Sequence, residues 1–204
     1  MAYIHRYFNT LENKRHPIFN NIQLKFIFIY LCIVVIITSC EKDSYRNSIS
    51  GFQEIEKDLL EKFGEKSYYT DVTILQHPEY GMEINLLVTD NPYSFAMEGW
   101  NYKNGDWQMV SEVQLELGKG NIENYMYNLH SEVNIVKLGF LVNLCIERTK
   151  EDGFKNPIPT KISITSPNKG DKSRMNYVIR LEANNKKISY IYSLEGDLID
   201  KYVL

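Results

Sequence analysis

An apolar run without a single charge, residues 26–37, lies close to the amino terminus of this 204-residue chain. The residues before it are basic, and a basic stretch followed by an apolar stretch is the pattern of an export signal. The run is about twelve residues long, whereas a helix needs about twenty to cross roughly 30 Å of hydrocarbon. The pattern therefore favours a signal that is removed over a permanent anchor. The basic residues concerned are Arg6, Lys14, Arg15 and Lys25.

The run ends in Ile37-Thr38-Ser39-Cys40, which is a branched apolar residue, two small residues and a cysteine. This segment resembles the lipobox of bacterial lipoproteins. The resemblance implies that residues 1–39 are a signal peptide cut before Cys40, that the Cys40 thiol receives diacylglycerol, and that the new amino terminus is often acylated, as with palmitate. Two acyl chains give stable membrane attachment where one gives marginal binding. The alternative is an uncleaved anchor with Cys40 as an ordinary thiol.

The residues after the cysteine bear on which membrane is involved. Glu41-Lys42-Asp43 loosely resembles the short tag of lysine and acids that sends lipoproteins of some Gram-negative bacteria to the cell surface. No aspartate directly follows Cys40, and in other bacteria that residue would favour the inner membrane. We therefore expect lipid attachment to the outer membrane, at its periplasmic face or at the cell surface. The long stretch before Lys25 leaves open a translation start nearer Asn21.

Charge and cysteine content exclude several classes of protein. Loss of residues 1–39 would remove four basic residues and one acidic residue from totals of 23 and 26, which leaves a net charge near −6. Nucleic-acid-binding proteins concentrate Lys and Arg on one face, so we expect no nucleic-acid partner. Besides Cys40 the mature chain has only Cys145, which allows neither an intramolecular disulfide nor a zinc site built of cysteines. Apolar neighbours predict that Cys145 is buried and unreactive.

The first part of the mature chain reads as a tether, a helix and four strands. Residues 40–50 are polar and aperiodic, which is typical of a tether. Residues 51–64 have apolar side chains at helical spacing and end in a glycine, which predicts an amphipathic helix. Asn104-Gly105 predicts a type I′ turn that pairs the last two strands. Strands rich in aromatic and β-branched residues are predicted over 71–76, 82–89, 93–102 and 107–117.

The same order then begins again. After a connecting loop at 118–132, the apolar stretch 133–152 predicts a second helix, and four more strands are predicted over 161–165, 174–182, 187–193 and 198–204. Gly64 and Gly153, and likewise Thr70 and Thr160, lie about ninety residues apart. The sequence therefore predicts an α+β fold in which two consecutive helix-plus-four-strand repeats, 51–117 and 133–204, form one domain. Its antiparallel sheet would carry both helices on one face.

This order of elements resembles the tandem helix-plus-four-strand architecture of β-lactamase inhibitor protein and of PepSY-type extracytoplasmic modules. The resemblance lies in element order rather than in a residue motif, so no functional residue is carried across. Families with this order of elements mostly bind other proteins. The resemblance therefore implies a binding or inhibitory role.

Motifs of catalysis are missing from the mature sequence. It offers two histidines, His77 and His130, both in predicted loops, and it has no nucleophile motif, zinc motif or phosphate-binding loop. Glu98, Glu112 and Glu116 could share a sheet face as a glycosidase pair would, but acids on an outer strand face are ordinary. We therefore expect no enzymatic activity, no cofactor and no metal.

Aromatic residues crowd the second hairpin. Large rings serve cores, and they also form recognition surfaces. We predict a partner-binding patch at Trp100, Tyr102 and Trp107, with Tyr102 and Trp107 as its most exposed members. The function that follows is a lipid-anchored extracytoplasmic lipoprotein that binds or inhibits another envelope protein without turnover.

Two other functions stay open. A periplasmic carrier of a small apolar ligand would enclose a cavity between helix and sheet, lined by residues such as Phe140, Ile179 and Tyr190. A hydrolase that works through carboxylates is the third hypothesis. A closed core would favour the binding module, an internal apolar pocket the carrier, and a cleft with converging Glu and His the hydrolase.

Overall fold

The structure, a computed structural model, describes residues 49–77, 81–116 and 120–204, all of which lie in the unit Lys42–Leu204. The predicted signal peptide, the lipobox with Cys40, and the tether as far as residue 48 lie outside the described residues. Within the described part of the chain, no helix combines the length and the apolar character needed to cross a bilayer.

The first helix, α1 (Ile49–Phe63), lays one apolar face on the sheet. Phe52, Ile55 and Leu59 are three and four residues apart, a spacing that places side chains on the same helix face, and all three are fully buried. The helix ends at Phe63 and is followed by Gly64, whose positive φ of 86° suits a residue without a side chain. The predicted amphipathic helix is confirmed.

Four antiparallel strands follow α1 in the order of the sequence. The turn between the last two has positive φ at both Asn104 (55°) and Gly105 (82°), as a type I′ turn requires. The predicted hairpin is therefore confirmed. The strands are β1 (Tyr68–His77), β2 (Gly81–Thr89), β3 (Ala96–Lys103) and β4 (Asp106–Gln114).

One strand begins later than the sequence predicts. The predicted strand 93–102 starts at Ala96, because the residues before it form a turn. Asn91 makes that turn: its side-chain oxygen accepts from the Tyr93 N–H at 3.2 Å, and its carbonyl accepts from the Ser94 N–H at 3.1 Å. Local bonds of this kind compete with strand pairing. Similarly, the strand predicted over 107–117 ends at Gln114.

The connection between the halves contains short elements where the sequence predicts a loop. They are a 3-10 turn (Ile122–Tyr125), the two-residue strand β5 (Tyr127–Asn128) and the one-turn helix α2 (Leu129–Glu132). Asn128 holds them in place, because its side-chain amide donates to the carbonyls of Glu65 and Ser67, at 2.8 and 3.1 Å. The same side chain accepts from the Ser131 N–H at 2.9 Å and so caps α2.

The second half repeats the element order of the first. The long helix α3 (Ile135–Glu151) begins at Asn134, whose side chain accepts from the Lys137 N–H. Its buried face includes Leu138, Val142 and Cys145. Four strands complete the chain: β6 (Ile158–Ile164), β7 (Asn176–Ala183), β8 (Lys186–Ser193) and β9 (Leu198–Val203).

The two halves join into one antiparallel sheet with the strand order β4-β3-β2-β1-β6-β7-β8-β9, and β5 pairs with β1. The first strands of both halves therefore pair at its centre. The described strands of each half also contain two bulges, at Thr70 and Val110 in the first and at Thr160 and Ile199 in the second. The predicted α+β fold is confirmed, whereas an origin by duplication stays a prediction.

The main core lies between the sheet and the two helices. Alternate residues of the strands, such as Leu86 and Val88 of β2, face this core together with the buried faces of α1 and α3. A smaller core lies on the other face of the sheet, where Met97 packs with Ile122 and Met126 of the connection. The part of the sheet around Leu87 and Met97 is thus covered on both faces.

Cys145 lies in the main core, as predicted. It is fully buried, and its Sγ is 3.5 Å from the hydroxyl of Tyr192. Burial raises the pKa of the Cys145 thiol to about 12. The thiolate is the reactive form of cysteine, so the folded protein holds this residue in an inert state.

Iodoacetamide at about pH 8 is therefore expected to leave Cys145 unmodified in the folded protein and to alkylate it fully in denaturant, where its pKa returns to roughly 8.5. Peptide mass mapping separates this site from Cys32 and Cys40. Equal alkylation rates at Cys145 with and without denaturant would contradict the buried assignment.

Candidate functional site

The aromatic residues of the second hairpin gather around Phe63, the last residue of α1. The Phe63 ring meets Trp100 of β3 edge to face at 5.6 Å and Trp107 of β4 at 5.3 Å between centroids. Tyr102 lies 5.1 Å from Trp107. Edge-to-face pairs at these distances are favourable beyond the area they bury. The end of α1 is thereby fastened to the hairpin.

Trp100 is held by polar contacts at two further points. Its indole N–H donates to the Glu98 carboxylate at 2.8 Å, and the Lys62 ammonium lies over its ring, 4.3 Å from the centroid. A cation in this position is attracted by the negative face of the ring. The aromatic cluster, the Glu98 carboxylate and the Lys62 ammonium together orient the Trp100 ring.

A groove of about 520 Å³ opens beside this ring. We call it the Trp100 groove. It lies between the end of α1 and the strands β2, β3 and β4, and both apolar and charged side chains line it. They include Lys62, Val88, Asp90, Glu98, Trp100 and Glu112.

Glu98 and Glu112 face each other across β3 and β4 within this groove. Side chains directly opposite in an antiparallel pair have Cβ atoms about 5 Å apart, and like charges there repel. Both side chains are exposed, so they lack the apolar burial that a glycosidase acid uses. Their position suits the recognition of positive charge better than catalysis.

A second groove, of about 570 Å³, continues from the first. We call it the Tyr93 groove. Asp90 lines both grooves, so they meet at this residue. Tyr93 is 66% exposed, and its hydroxyl is hydrogen-bonded to Glu123. Other residues of its lining are Glu65, Lys66, His130 and Glu132.

The three predicted partner-binding residues all belong to the aromatic cluster, and each is half-buried against the core. Of the three, Trp100 lines the groove. Tyr102 and Trp107 have the same intermediate degree of burial as Trp100. Their contact with a partner stays a prediction. Sequence reasoning missed Lys62 and Asp90, because no local pattern shows that a helix end and a strand end will face the same cavity.

The predicted loop histidines occupy separate places. His77 is the last residue of β1, where its Nε2 lies 3.7 Å from a Glu83 oxygen, and His130 lies in α2. Neither is in a loop as the sequence predicted, because β1 extends as far as His77 and the predicted loop 118–132 contains the one-turn helix α2. Among the described residues, no group of His, Cys, Asp and Glu is arranged to hold a metal ion.

The residues predicted to line an apolar cavity do not come together. Ile179 and Tyr190 face each other in β7 and β8 and are fully buried in the core, whereas Phe140 is 57% exposed on the outer side of α3. Tyr190 also bonds to the Thr149 hydroxyl at 2.8 Å. This part of the carrier hypothesis is therefore wrong.

Comparisons with known proteins give one structural likeness and no family. No family model matches the chain, and no curated protein matches it significantly. The chain is similar to a crystal structure described as a "putative lipoprotein" from Clostridium difficile 630, with 10% identity and a TM-score of 0.47. The match covers 81% of this chain and 98% of that chain. A likeness at this level transfers no property to this chain.

Proposed function

We propose that this chain is a lipid-anchored extracytoplasmic lipoprotein that binds another protein of the cell envelope and catalyses no reaction. The Trp100 groove carries this proposal. It combines a positioned aromatic ring, apolar side chains and three acidic side chains in one concave surface, and binding surfaces draw most of their energy from such aromatic anchors.

A binding role fits the groove better than a catalytic role. Its acids are exposed, and the deeply buried thiol of Cys145 lies in the core rather than in the groove. Nucleophilic catalysis needs a nucleophile and a base within hydrogen-bond reach. The described lining of the groove contains neither histidine nor cysteine.

The proposed membrane location of the domain rests on the sequence. Cys40 would carry the acyl chains, and Glu41-Lys42-Asp43 favours the outer membrane, at its periplasmic face or the cell surface. Stable attachment needs two or more acyl chains. Lipid would keep the domain close to proteins of the same membrane and so raise their effective concentration.

Photo-cross-linking in intact cells tests this function. A photoreactive amino acid at Ala96, which lines the groove, is expected to capture a specific envelope protein. The same amino acid at exposed Lys187 of β8 is the matched control and should not capture it. Cys40→Ser is expected to abolish both acylation and capture, because the domain would lose its membrane attachment.

Two outcomes contradict the proposal. One is that the same protein is captured equally from Ala96 and from Lys187, or that no protein is captured from either position. The other is a membrane-bound chain that begins near Met1 and carries no acyl group, which would remove the lipid anchor.

A further inference from the structure

The second half of the fold provides an internal comparison for the Trp100 groove. There, the corner between the end of α3 and the edge strand is closed. Lys201 of β9 forms an ion pair with Asp152 at the helix end, and its ammonium lies over the Tyr190 ring, 5.3 Å from the centroid. Tyr190 itself is fully buried.

The same corner of the first half is open. The edge strand here contributes Glu112 opposite Glu98, as β9 contributes Lys201 opposite Tyr190. The helix end contributes Lys62, which lies over Trp100. A cavity of about 520 Å³ separates these elements. The fold therefore does not by itself require a groove at this corner, because the equivalent corner of the second half is closed by Lys201 and Asp152.

The charge of the two joined grooves is strongly one-sided. Among the residues that the structure describes, six acidic side chains and two lysines line them. Of the acids, Glu132 is neutralised by Lys172, whose ammonium is 2.7 Å away. The remaining excess of negative charge is complementary to a positively charged occupant and repels nucleic acid and anionic lipid headgroups.

The chain's own Lys62 shows the kind of group that the groove accommodates. Its ammonium lies 4.3 Å from the Trp100 centroid, on a ring whose N–H is bonded to Glu98. An aromatic face beside carboxylates attracts a cation by both the ring quadrupole and charge. Lys62 is an exposed side chain in the lining of the groove, so an incoming cation can replace it.

We propose that the joined Trp100 and Tyr93 grooves bind a basic, extended segment of the partner protein, with a Lys or Arg side chain between Glu98 and Glu112. This inference rests on the proposed binding function and adds the chemistry of the partner. An extended segment fits because its alternate side chains point to one side, so several cations can face the acids in succession.

Fluorescence polarisation with the full-length protein in detergent micelles tests the inference. The probe is a fluorescein-labelled peptide of about ten residues in which lysine alternates with threonine, and glutamate replaces lysine in the control peptide. Glu98→Gln with Glu112→Gln is expected to weaken binding of the lysine peptide about tenfold, since two ion pairs are lost. Glutamine at position 98 can still accept the Trp100 N–H.

Two further variants make the test specific. Glu151→Gln with Glu182→Gln removes the same charge at exposed positions outside the grooves and should leave binding within about twofold. Lys62→Met is expected to tighten binding about threefold, because it removes a competing cation while the length of the side chain is kept.

The inference is overturned if the lysine peptide shows no binding up to about 1 mM, if the glutamate peptide binds as well, or if both double variants weaken binding equally. It is also overturned if the segment captured from Ala96 in cells is not basic, a result that leaves the proposed function standing. The converse result is that the peptides bind as expected while no protein is captured in cells. That result would contradict the proposed function but would still support the groove's preference for basic segments.

Discussion

Valine in place of Gly139 is expected to lower the free energy of unfolding by about 3 kcal/mol, because an overpacked core forces its neighbours to move. Gly139 lies on α3 where α1 crosses it. A Cβ atom added there would lie 2.7 to 2.9 Å from three atoms of the Phe52 side chain. Phe52 is fully buried, so its ring cannot swing into solvent, and the two helices would have to separate.

Urea unfolding followed by circular dichroism measures this change. Glu147→Val is the matched control, because Glu147 is an exposed residue of the same helix. Its cost should stay below about 1 kcal/mol, the scale of helix propensity differences. The double variant Gly139→Val with Phe52→Ala is expected to cost about 1 kcal/mol less than the sum of the single variants. Equal unfolding midpoints for Gly139→Val and Glu147→Val would contradict the close helix contact.

Removal of the hydroxyl group is expected to change the free energy of unfolding in opposite directions at two buried tyrosines. Tyr127 is fully buried, and its hydroxyl has no hydrogen-bond partner among the residues that the structure describes. Tyr127→Phe should therefore stabilise the domain by about 1 kcal/mol, because an unsatisfied buried polar group is removed. The Tyr69 ring lies 6.3 Å away in a stacked arrangement, which phenylalanine at position 127 is expected to preserve.

Tyr177→Phe is the matched substitution, and it is expected to lower the stability of the domain. The Tyr177 hydroxyl donates to the Asn134 carbonyl at 3.1 Å and accepts from the Asn134 N–H at 3.0 Å, and so fixes the residue at which α3 begins. Its loss leaves two backbone groups without this partner and is expected to cost about 2 kcal/mol. Thermal or urea unfolding of the two variants should differ by about 3 kcal/mol in total. If both variants shift stability in the same direction, the assigned hydrogen bonds are wrong.

Several features of the fold followed from local sequence patterns. The spacing of Phe52, Ile55 and Leu59 predicts one buried helix face, and Asn104-Gly105 predicts its hairpin turn, because each signal depends on residues a few positions apart. The burial of Cys145 followed from its apolar neighbours. The strand predicted from Tyr93 failed where Asn91 bonds to its own neighbours, a competition that periodicity does not reveal.

The candidate site was partly visible in the sequence. Trp100, Glu98 and Glu112 were each singled out, but as members of different hypotheses: an aromatic patch and a carboxylate pair. The structure brings them together through the register of β3 and β4 and through the bulge at Val110. Lys62 joins them from α1, and its distance along the chain left no signal in the sequence.

The sequence alone thus determined the buried face of α1, the hairpin turn at Asn104-Gly105 and the burial of Cys145, and it predicts a lipid-acceptor cysteine at position 40. Only the tertiary structure decided that β1 pairs with β6 at the centre of the sheet, that Gly139 meets Phe52, and that one corner of the fold is open while its counterpart is closed by Lys201 and Asp152. The reason is physical. Side-chain periodicity is a local property of the backbone, whereas strand order and the opposition of charges across a groove depend on contacts between residues far apart in the chain.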